Sequence, residues 1–416
     1  MASGTAESER RPASHSWLTE ELHTVVEELA GYERPSASEG ERRAAEWIAE
    51  RMRTHGHRAS VEVERAHGGF WWPLGLLNAG VTVAGLAALR SRARSARLLT
   101  AALSAGAAAA IWDELGGGSL WFRRATLPHR DTFNVVAEIG EANAEETVVV
   151  VAHHDAAHSG LIFHPGLPKL FAERFPELLE RSTQTLPIMF ATWLGPVFVA
   201  LGSILGRSGL LRWGSLLAGA TTVTMADIAR SDVVPGANDN LSAVAVLLAL
   251  ARSLGERPQP GVRVLLVSTG SEESFMEGMQ GFLRRHRATL DPKRTTVLCL
   301  ECVGGPMLTL IEAEGMLRMR PYSSSARARV AEAAQAAGVE LVRGLRTVLA
   351  TDALVALRGG YAAATLASID ATKFPSNYHW PSDTPQNLDW GTIERAFAVT
   401  EGFVRASAPT PQSSEQ

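Results

Sequence analysis

Hydrophobic and polar positions recur along the chain with two periods, which predict helices and strands in turn. Amphipathic helical patterns cover residues 17–29, 39–55, 324–337 and 390–405, and a loop at 233–241 leads into a long apolar helix that ends near residue 254. Short β-branched or alternating runs predict strands at 59–64, 132–139, 148–151, 262–268, 295–300, 307–311 and 362–367. This alternation predicts an α/β domain over residues 17–406, with a mixed, mostly parallel sheet covered by helices on both faces.

Two long stretches without charge interrupt the α/β pattern. Residues 68–89 carry no charged side chain, an arginine cluster follows, and a second uncharged run covers 98–112. The same order returns at 182–206 and 213–225, on either side of Arg207 and Arg212. Each pair predicts an inserted hydrophobic helical hairpin, at 68–115 and 182–228, whose first helix is about long enough to span a bilayer and whose second is short.

Two interpretations of these hairpins stay open. Tryptophans near the helix ends (Trp71, Trp72, Trp112 and Trp121) and many small residues favour insertion in a membrane, with the arginine-rich turns on the cytoplasmic side. That orientation conflicts with a polar N-terminus without the apolar core of a secretory signal, and a shallow in-plane insertion would avoid the conflict. The alternative is a cytoplasmic protein whose hairpins are buried or form a homodimer.

Composition narrows the class of protein. A chain of 416 residues with 46% hydrophobic content can bury one large domain with insertions, and a net charge of −4 argues against a nucleic-acid surface. Cys299 and Cys302 are too few for a disulfide framework and are expected to be free, buried thiols. Residues 1–16 and 407–416 are expected to be a disordered leader and tail.

Histidines and carboxylates follow several of the predicted strands. His153 and Asp155 follow the strand at 148–151, and Glu272 and Glu273 follow the one at 262–268; further candidates are Asp239 in a Gly/Asn loop, Glu301 after a third strand and His379 in the last loop. Ligands collect beyond the carboxyl ends of strands in open α/β sheets. Imidazole and carboxylate ligands without thiolate suit Zn²⁺, or less selectively Co²⁺ or Mn²⁺, and the set is large enough for two ions.

The order of these motifs resembles the di-zinc aminopeptidase family, which includes bacterial leucyl aminopeptidases, aminopeptidase Y and glutamate carboxypeptidases. The matching motifs are His153-His154-Asp155, Gly236-Ala237-Asn238-Asp239-Asn240, Glu272-Glu273, Glu301 with Gly304, and His379 with Asp383-Thr384. The resemblance implies a zinc exopeptidase fold in which His153 and Glu301 bind one zinc ion, Glu273 and His379 bind the other, and Asp239 bridges them. It also implies that Asp155 orients His153, that Glu272 is the general base, and that Asp352 and Asp383 are supporting residues, with Asp352 beside His379.

The resemblance implies an aminopeptidase that acts on peptide or aminoacyl substrates, with Phe374, Tyr378 and Trp380 as candidates for the side-chain pocket. Two departures from the family pattern concern specificity: Glu301 stands where aspartate is commoner, and the second hairpin lengthens the segment between Asp155 and Asp239. The alternatives are a glutaminyl-cyclase-like or carboxypeptidase activity on the same fold, and a catalytically inactive membrane scaffold.

Overall fold

The computed structural model describes residues 16–185 and 187–407 of the chain. Residues 1–15 of the predicted leader and 408–416 of the predicted tail lie outside this part of the chain. Ser16 is the first residue of the first helix, and Ser407 is buried after the last one.

A seven-stranded sheet forms the centre of the α/β domain. Its strands stand in the order β1-β2-β4-β3-β5-β10-β6, and the four strands β4, β3, β5 and β10 are parallel to one another. β1, β2 and β6 are antiparallel to their neighbours and lie toward the edges. β7, β8 and β9 form a small second sheet. The strands are β1 Arg58–Ala66, β2 Arg130–Gly140, β3 Glu146–His153, β4 Val262–Thr269, β5 Thr295–Glu301, β6 Met307–Leu310, β7 Ala313–Glu314, β8 Arg320–Pro321, β9 Arg346–Thr347 and β10 Ala362–Ile369.

Helices cover both faces of the sheet, as predicted. The described helices are α1 Ser16–Ala30, α2 Glu39–Thr54, α3 Trp71–Arg90, α4 Arg94–Leu115, α5 Trp121–Thr126, α6 Gly166–Arg174, α7 Pro176–Arg181, α8 Phe190–Leu205, α9 Ser208–Ile228, α10 Ser242–Glu256, α11 Glu277–His286, α12 Ser324–Ala336, α13 Asp352–Arg358 and α14 Trp390–Arg405. α1, α2, α10, α12 and α14 pack on one face, and α11, α13 and the bases of α3, α4 and α9 pack on the other.

β3 shows why the central strands are apolar on both sides. Side chains alternate between the two faces of a strand, so Val148 and Val150 enter one core while Val149 and Val151 enter the other. All four are fully buried. An uninterrupted β-branched run is typical of a parallel strand covered on both faces, and this run predicted the strand from the sequence.

The two hydrophobic hairpins pack together into one four-helix bundle, which we call the helical bundle (α3, α4, α8 and α9). Small residues allow this close packing: a Cβ at Gly85, Gly195, Gly202 or Gly214 would come within 3 Å of an atom on a neighbouring helix. The predicted helix lengths need correction, because α4 has 22 residues and α9 has 21. The short member is α8, with 16 residues.

The predicted start of the second hairpin at residue 182 is also wrong, since α8 begins at Phe190. The preceding segment is extended: Gln184 pairs with Arg346 of β9, and the Thr185 N–H donates to the Arg346 carbonyl at 3.1 Å. β-branched threonines favour an extended chain, and Thr183 and Thr185 both lie in this segment.

A buried ion-pair network ties the first hairpin to the α/β domain. The fully buried Arg123 of α5 contacts Glu114 of α4 at 2.8 Å and Glu277 of α11 at 3.0 Å, and it donates to the Ser274 carbonyl at 2.6 Å. Glu277 also accepts hydrogen bonds from the backbone N–H of His67 and from the Ser274 hydroxyl. One guanidinium thus contacts two carboxylates at the base of the helical bundle, and His67 Nδ1 lies 2.7 Å from the second of them, Glu277.

We expect Arg123→Met to destabilise the fold by about 3–5 kcal/mol, because it leaves the Glu114 and Glu277 carboxylates buried without their cation. The midpoint of thermal unfolding in detergent measures the effect. The matched control is Arg124→Met, since Arg124 is the exposed neighbour in the same helix. Adding Glu114→Gln to Arg123→Met should recover part of the loss; equal midpoints for the two arginine variants would contradict the network's role.

Candidate metal centre

The parallel strands bring four of the predicted site residues to one edge of the sheet. His153 is the last residue of β3 and pairs with Thr269, the last residue of β4. Glu272 and Glu273 stand in the loop that follows β4, and Glu301 is the last residue of β5, the other neighbour of β3. Register along the sheet therefore assembles residues that lie about 150 positions apart in sequence.

The loop before α10 carries Asp239 into the same space. Gly236 opens it with a left-handed φ of 61°, and a Cβ there would lie 2.7 Å from the Arg34 guanidinium, so the position requires glycine. The loop is held by Asp383, whose two carboxylate oxygens accept the backbone N–H groups of Asn238 at 2.7 Å and Asp239 at 3.1 Å. Asp239 is thereby fixed through its own backbone.

Asp239 stands between the two histidines. Its Oδ1 lies 3.2 Å from His153 Nε2, and its Oδ2 lies 3.2 Å from His379 Nε2. Each imidazole has a second carboxylate partner: Glu301 Oε1 lies 3.5 Å from His153 Nε2, and Glu273 Oε2 lies 3.2 Å from His379 Nε2. One carboxylate thus faces two imidazole–glutamate pairs, one through each of its oxygens.

The polar atoms of this cluster are better placed to bind a metal ion than to hydrogen-bond to one another. His153 Nε2, Asp239 Oδ1 and Glu273 Oε1 are buried, and none has a hydrogen-bond partner among the described residues. Buried polar atoms are normally paired, so three such atoms directed into one cluster call for another partner. One ligand atom from each of His153, Asp239 and Glu273 lies within 4.8 Å of the others, a spacing that a divalent ion can bridge.

A second possible ligand group contains a residue that the sequence analysis left out of the site. Ligand atoms of Asp239, Glu301 and Cys302 also lie within 4.8 Å of one another. The Cys302 Sγ lies 3.3 Å from Glu301 Oε1, and both cysteines are buried and free, as predicted.

Asp155 holds the loop after β4 and His153 together. Its carboxylate accepts the backbone N–H groups of Glu272 at 3.0 Å and Glu273 at 3.1 Å, and it accepts the Ser36 hydroxyl at 2.6 Å. Its Oδ1 also lies 3.3 Å from His153 Nδ1. A carboxylate in this position fixes the direction of the imidazole, so that Nε2 faces Asp239.

Glu272 and Glu273 point to different parts of the cluster. Glu273 lies against His379, whereas Glu272 Oε2 lies 3.9 Å from His153 Nε2 and lines an adjoining cavity of about 70 Å³. Burial, with added repulsion from Glu301 and Glu273, raises the pKa of Glu272 well above its usual value. A carboxyl group beside a cavity is placed to exchange a proton with a molecule bound there.

The negative charge of the cluster also acts on His379. Burial alone would lower the pKa of this imidazole, but Glu273 and Asp239 outweigh that effect and raise the pKa to about 10. The Tyr378 ring stacks on the His379 ring with centroids 3.8 Å apart, and the Phe163 ring meets it edge-on. His379 itself has a left-handed φ of 49°, so the local backbone is strained to hold the ring in place.

The supporting residues differ in part from the prediction. Asp383 supports Asp239 through the loop, whereas Asp352 hydrogen-bonds the Thr269 hydroxyl at the end of β4. The expectation that Asp352 lies beside His379 is therefore corrected: His379 Nδ1 has no hydrogen-bond partner among the described residues. Tyr378 lines the cavity at the site as predicted, but Phe374 lines a separate cavity beside α6 and α7, and Trp380 contacts His164.

Two buried residues organise the site and were missed from the sequence. Arg34 is fully buried and donates to the carbonyls of His154 at 2.7 Å, Pro235 at 2.7 Å and Gly236 at 2.9 Å. Burial lowers its pKa to about 10, so it stays cationic at neutral pH. Glu41 accepts the Ser271 N–H and hydroxyl and thereby anchors the loop of Glu272. Each lies in an ordinary helix or turn far from the motifs, where nothing in the sequence marked it.

Solved structures share this fold. An aminopeptidase from Aneurinibacillus sp. strain AM-1 is similar at a TM-score of 0.54 and 14% identity, over 96% of this chain and 97% of that chain. A Zn-dependent exopeptidase from Parabacteroides distasonis is similar at 0.52 and 13%, over 93% and 97%. Fimbriiglobus ruber glutaminyl cyclase is similar at 0.54 and 13%, over 97% and 99%. A comparison with curated protein sequences finds no match.

The fold is therefore that of the zinc exopeptidases, as the motifs predicted. Residues 221–404 match the model of Peptidase family M28. The match includes Asp239, Glu272, Glu273, Glu301 and His379. His153 and Asp155 lie before it, and the parallel pairing of β3 with β4 and β5 brings them to the same site.

We expect Asp155→Asn to weaken zinc binding by about 10- to 100-fold, because the amide can accept only one of the two backbone N–H groups and no longer balances His153. Titration against a competing chelator measures the affinity. Ser36→Ala removes one hydrogen bond to Asp155 and should give a smaller loss in the same direction.

Asp291→Asn is the control, since Asp291 is exposed and remote from the cluster. Unchanged zinc affinity in a folded Asp155→Asn variant would show that Asp155 does not position the ligands.

Proposed function

We propose that the protein is a metal-dependent aminopeptidase that holds two divalent ions, with zinc as the metal. The observation that carries the proposal is the position of Asp239, whose two oxygens face two separate imidazoles, each beside its own glutamate. His153 and Glu301 would hold one ion, His379 and Glu273 the other, and Asp239 would contact both. When bound, two such ions polarise a carbonyl group and make a water molecule more acidic.

Glu272 is the general base in this proposal. It contacts the cluster and the cavity at once, and its backbone is fixed by Asp155. Its carboxylate accepts a proton from water as the new C–O bond forms at the scissile carbonyl. It then donates that proton to the leaving amine as the C–N bond breaks. Asp155 and Arg34 take no proton in this scheme; they hold the loops in place.

The charge of the site favours an amino-terminal substrate group over a carboxyl-terminal one. The cavity at the metal centre is lined by Glu272, Glu273, His379 and apolar side chains, and the described residues that line it include no lysine or arginine. A substrate carboxylate would have no cationic side chain to pair with there. This supports an aminopeptidase over a carboxypeptidase.

The purified protein is expected to contain close to two metal ions per chain and to hydrolyse aminoacyl p-nitroanilides. Asp239→Asn should lose metal and activity together, because it weakens the ligand shared by both ions. Glu272→Gln should keep its metal and lose at least about 100-fold in kcat, since the proton acceptor is gone.

Metal content by mass spectrometry, with kcat measured on the same preparation, tests both statements. Glu141→Gln is the control, because Glu141 is exposed on the far side of the sheet from the strand ends. A single metal per chain with cyclisation of amino-terminal glutamine would point to the glutaminyl-cyclase alternative. Activity that is indifferent to Glu272 would contradict the peptidase proposal.

We also propose that the helical bundle is embedded in a membrane. Among the described residues, α3 and α4 are long and apolar enough to cross a bilayer by length and composition. α3 has 20 residues and rises about 30 Å, which matches a hydrocarbon core of about 30 Å. All four helices expose large apolar side chains, among them Val83, Leu99, Ile204 and Leu216. A contiguous apolar exterior of this kind is exceptional on a soluble protein.

The ends of the helical bundle support the same proposal. Trp72, Trp112 and Trp121 are each about half exposed at the end that joins the α/β domain, and Trp213 is exposed near the other end. Tryptophans at both ends are typical of the interfaces of a membrane. Arginines occupy the two turns at the far end: Arg90, Arg92, Arg94, Arg97, Arg207 and Arg212.

The full chain is expected to remain with membranes after alkaline carbonate extraction. Val83→Glu or Leu216→Glu should weaken this retention, because a carboxylate in mid-helix costs about 2.5–3.5 kcal/mol in a bilayer. Leu178→Glu is the matched control, since Leu178 is 60% exposed but lies on α7, outside the helical bundle. Complete release of the unmodified protein by carbonate would contradict embedding.

A further inference from the structure

We propose that the substrate of this site carries a long linear apolar chain on its acyl side, and that this chain lies in a groove running from the metal centre onto the helical bundle. The inference rests on the proposed aminopeptidase function and names its substrate class: α-amino acyl amides with an extended alkyl side chain. Two adjoining cavities carry the argument.

The inner cavity, of about 70 Å³, adjoins the metal centre through Glu272, Glu273 and His379. The outer cavity, of about 150 Å³, lies against α9 of the helical bundle. Four side chains line both cavities: Phe70, Phe163, Ile188 and Met189. The two cavities are therefore adjacent, and we call the pair the apolar groove.

The floor of the outer cavity is a stripe along one face of α9. Leu217, Ala220, Thr221, Thr224, Met225 and Ile228 all line it. These positions recur every three or four residues, so they share one side of the helix. From Leu217 to Ile228 the helix rises about 16 Å. The apolar groove is thus several times longer than a leucine or methionine side chain.

The walls of the outer cavity offer few polar groups to a substrate: among the described residues these are the hydroxyls of Thr192, Thr221 and Thr224. No charged side chain lines the outer cavity among the described residues. The hydroxyls of Thr192 and Thr224 donate to the carbonyls of Met189 at 2.7 Å and Ala220 at 3.0 Å within their own helices, so these threonines can offer their methyl groups to the groove. A flexible alkyl chain fits such walls, whereas a polar peptide chain would lose its hydrogen bonds to water there.

The position of the apolar groove also explains the second hairpin, which supplies α8 and α9. The groove ends on helices whose exteriors are themselves apolar, next to exposed Ile162. An amphiphilic substrate could therefore keep its chain in apolar surroundings while its α-amine and scissile carbonyl enter the metal centre. There water adds across the amide: the C–O bond forms, the C–N bond breaks, and the amine leaves with the proton.

A chain-length series tests the inference. The full-length protein in detergent is given the p-nitroanilides of alanine, norleucine and α-aminododecanoic acid, each below its critical micelle concentration. We expect kcat/KM to rise at least about tenfold from norleucine to α-aminododecanoic acid, because each methylene buried in the groove favours binding. Ala220→Trp, which fills the outer cavity, should remove that gain, so that the norleucine and α-aminododecanoic acid substrates give similar kcat/KM values.

Val223→Trp is the matched control, since Val223 lies on the same helix, is 69% exposed and does not line the apolar groove. It should leave the whole series unchanged. Hydrolysis of the alanine substrate with no gain for longer chains would overturn the inference while the proposed aminopeptidase stands. Equal kcat/KM values for Ala220→Trp and Val223→Trp across the series would also overturn the inference while the proposed aminopeptidase stands. Failure to hydrolyse any member of the series would overturn both.

Discussion

Buried negative charge at the carboxyl ends of β3, β4 and β5 is the constraint on which the rest of the site depends. Asp155, Asp239, Glu272, Glu273 and Glu301 lie within one cluster, largely out of water. Burying a carboxylate is costly unless it is paired, hydrogen-bonded or bound to a cation. Asp155 is paired with backbone N–H groups, whereas the oxygens of Asp239 face imidazoles, an arrangement that a divalent ion would complete.

Residues around the cluster hold these carboxylates in fixed positions and orientations. Arg34 fastens the end of β3 to the Gly236 loop through three carbonyl groups, Glu41 fastens the loop after β4, and Asp383 fastens the backbone of Asp239. None of these three side chains contacts both His153 and His379. Each nevertheless fixes a segment of backbone that carries a residue of the cluster. The positions of the cluster residues therefore depend mainly on hydrogen bonds between loops. The strands determine these positions only where they end.

Much of the fold and of the candidate site could be predicted from the sequence, because the features that define them are local or periodic. The run of valines before His153 defines β3, and residues at the ends of parallel strands must meet, so His153, Glu273 and Glu301 followed from the strand pattern. Arg34, Glu41 and the partner of Asp352 could not be predicted, because long-range pairing of single polar residues leaves no period. The packing of the two hairpins against each other could not be predicted either. Glycines such as Gly85 and Gly214 allow another helix to approach closely, but the sequence does not identify that helix.

The helical bundle and the metal centre are mechanically one unit, since the same segments belong to both. The loop after β4 carries Glu272 and Glu273, and its Ser274 carbonyl and Glu277 side chain bind Arg123 at the base of the helical bundle. Met225 and Ile228 at the end of α9 pack in the same core as Val149 and Val151 of β3. A hairpin inserted for membrane contact alone could have been joined by mobile linkers. Here its helices enter the core of the α/β domain and line a cavity beside the metal centre, which ties the position of the helical bundle to the shape of that cavity.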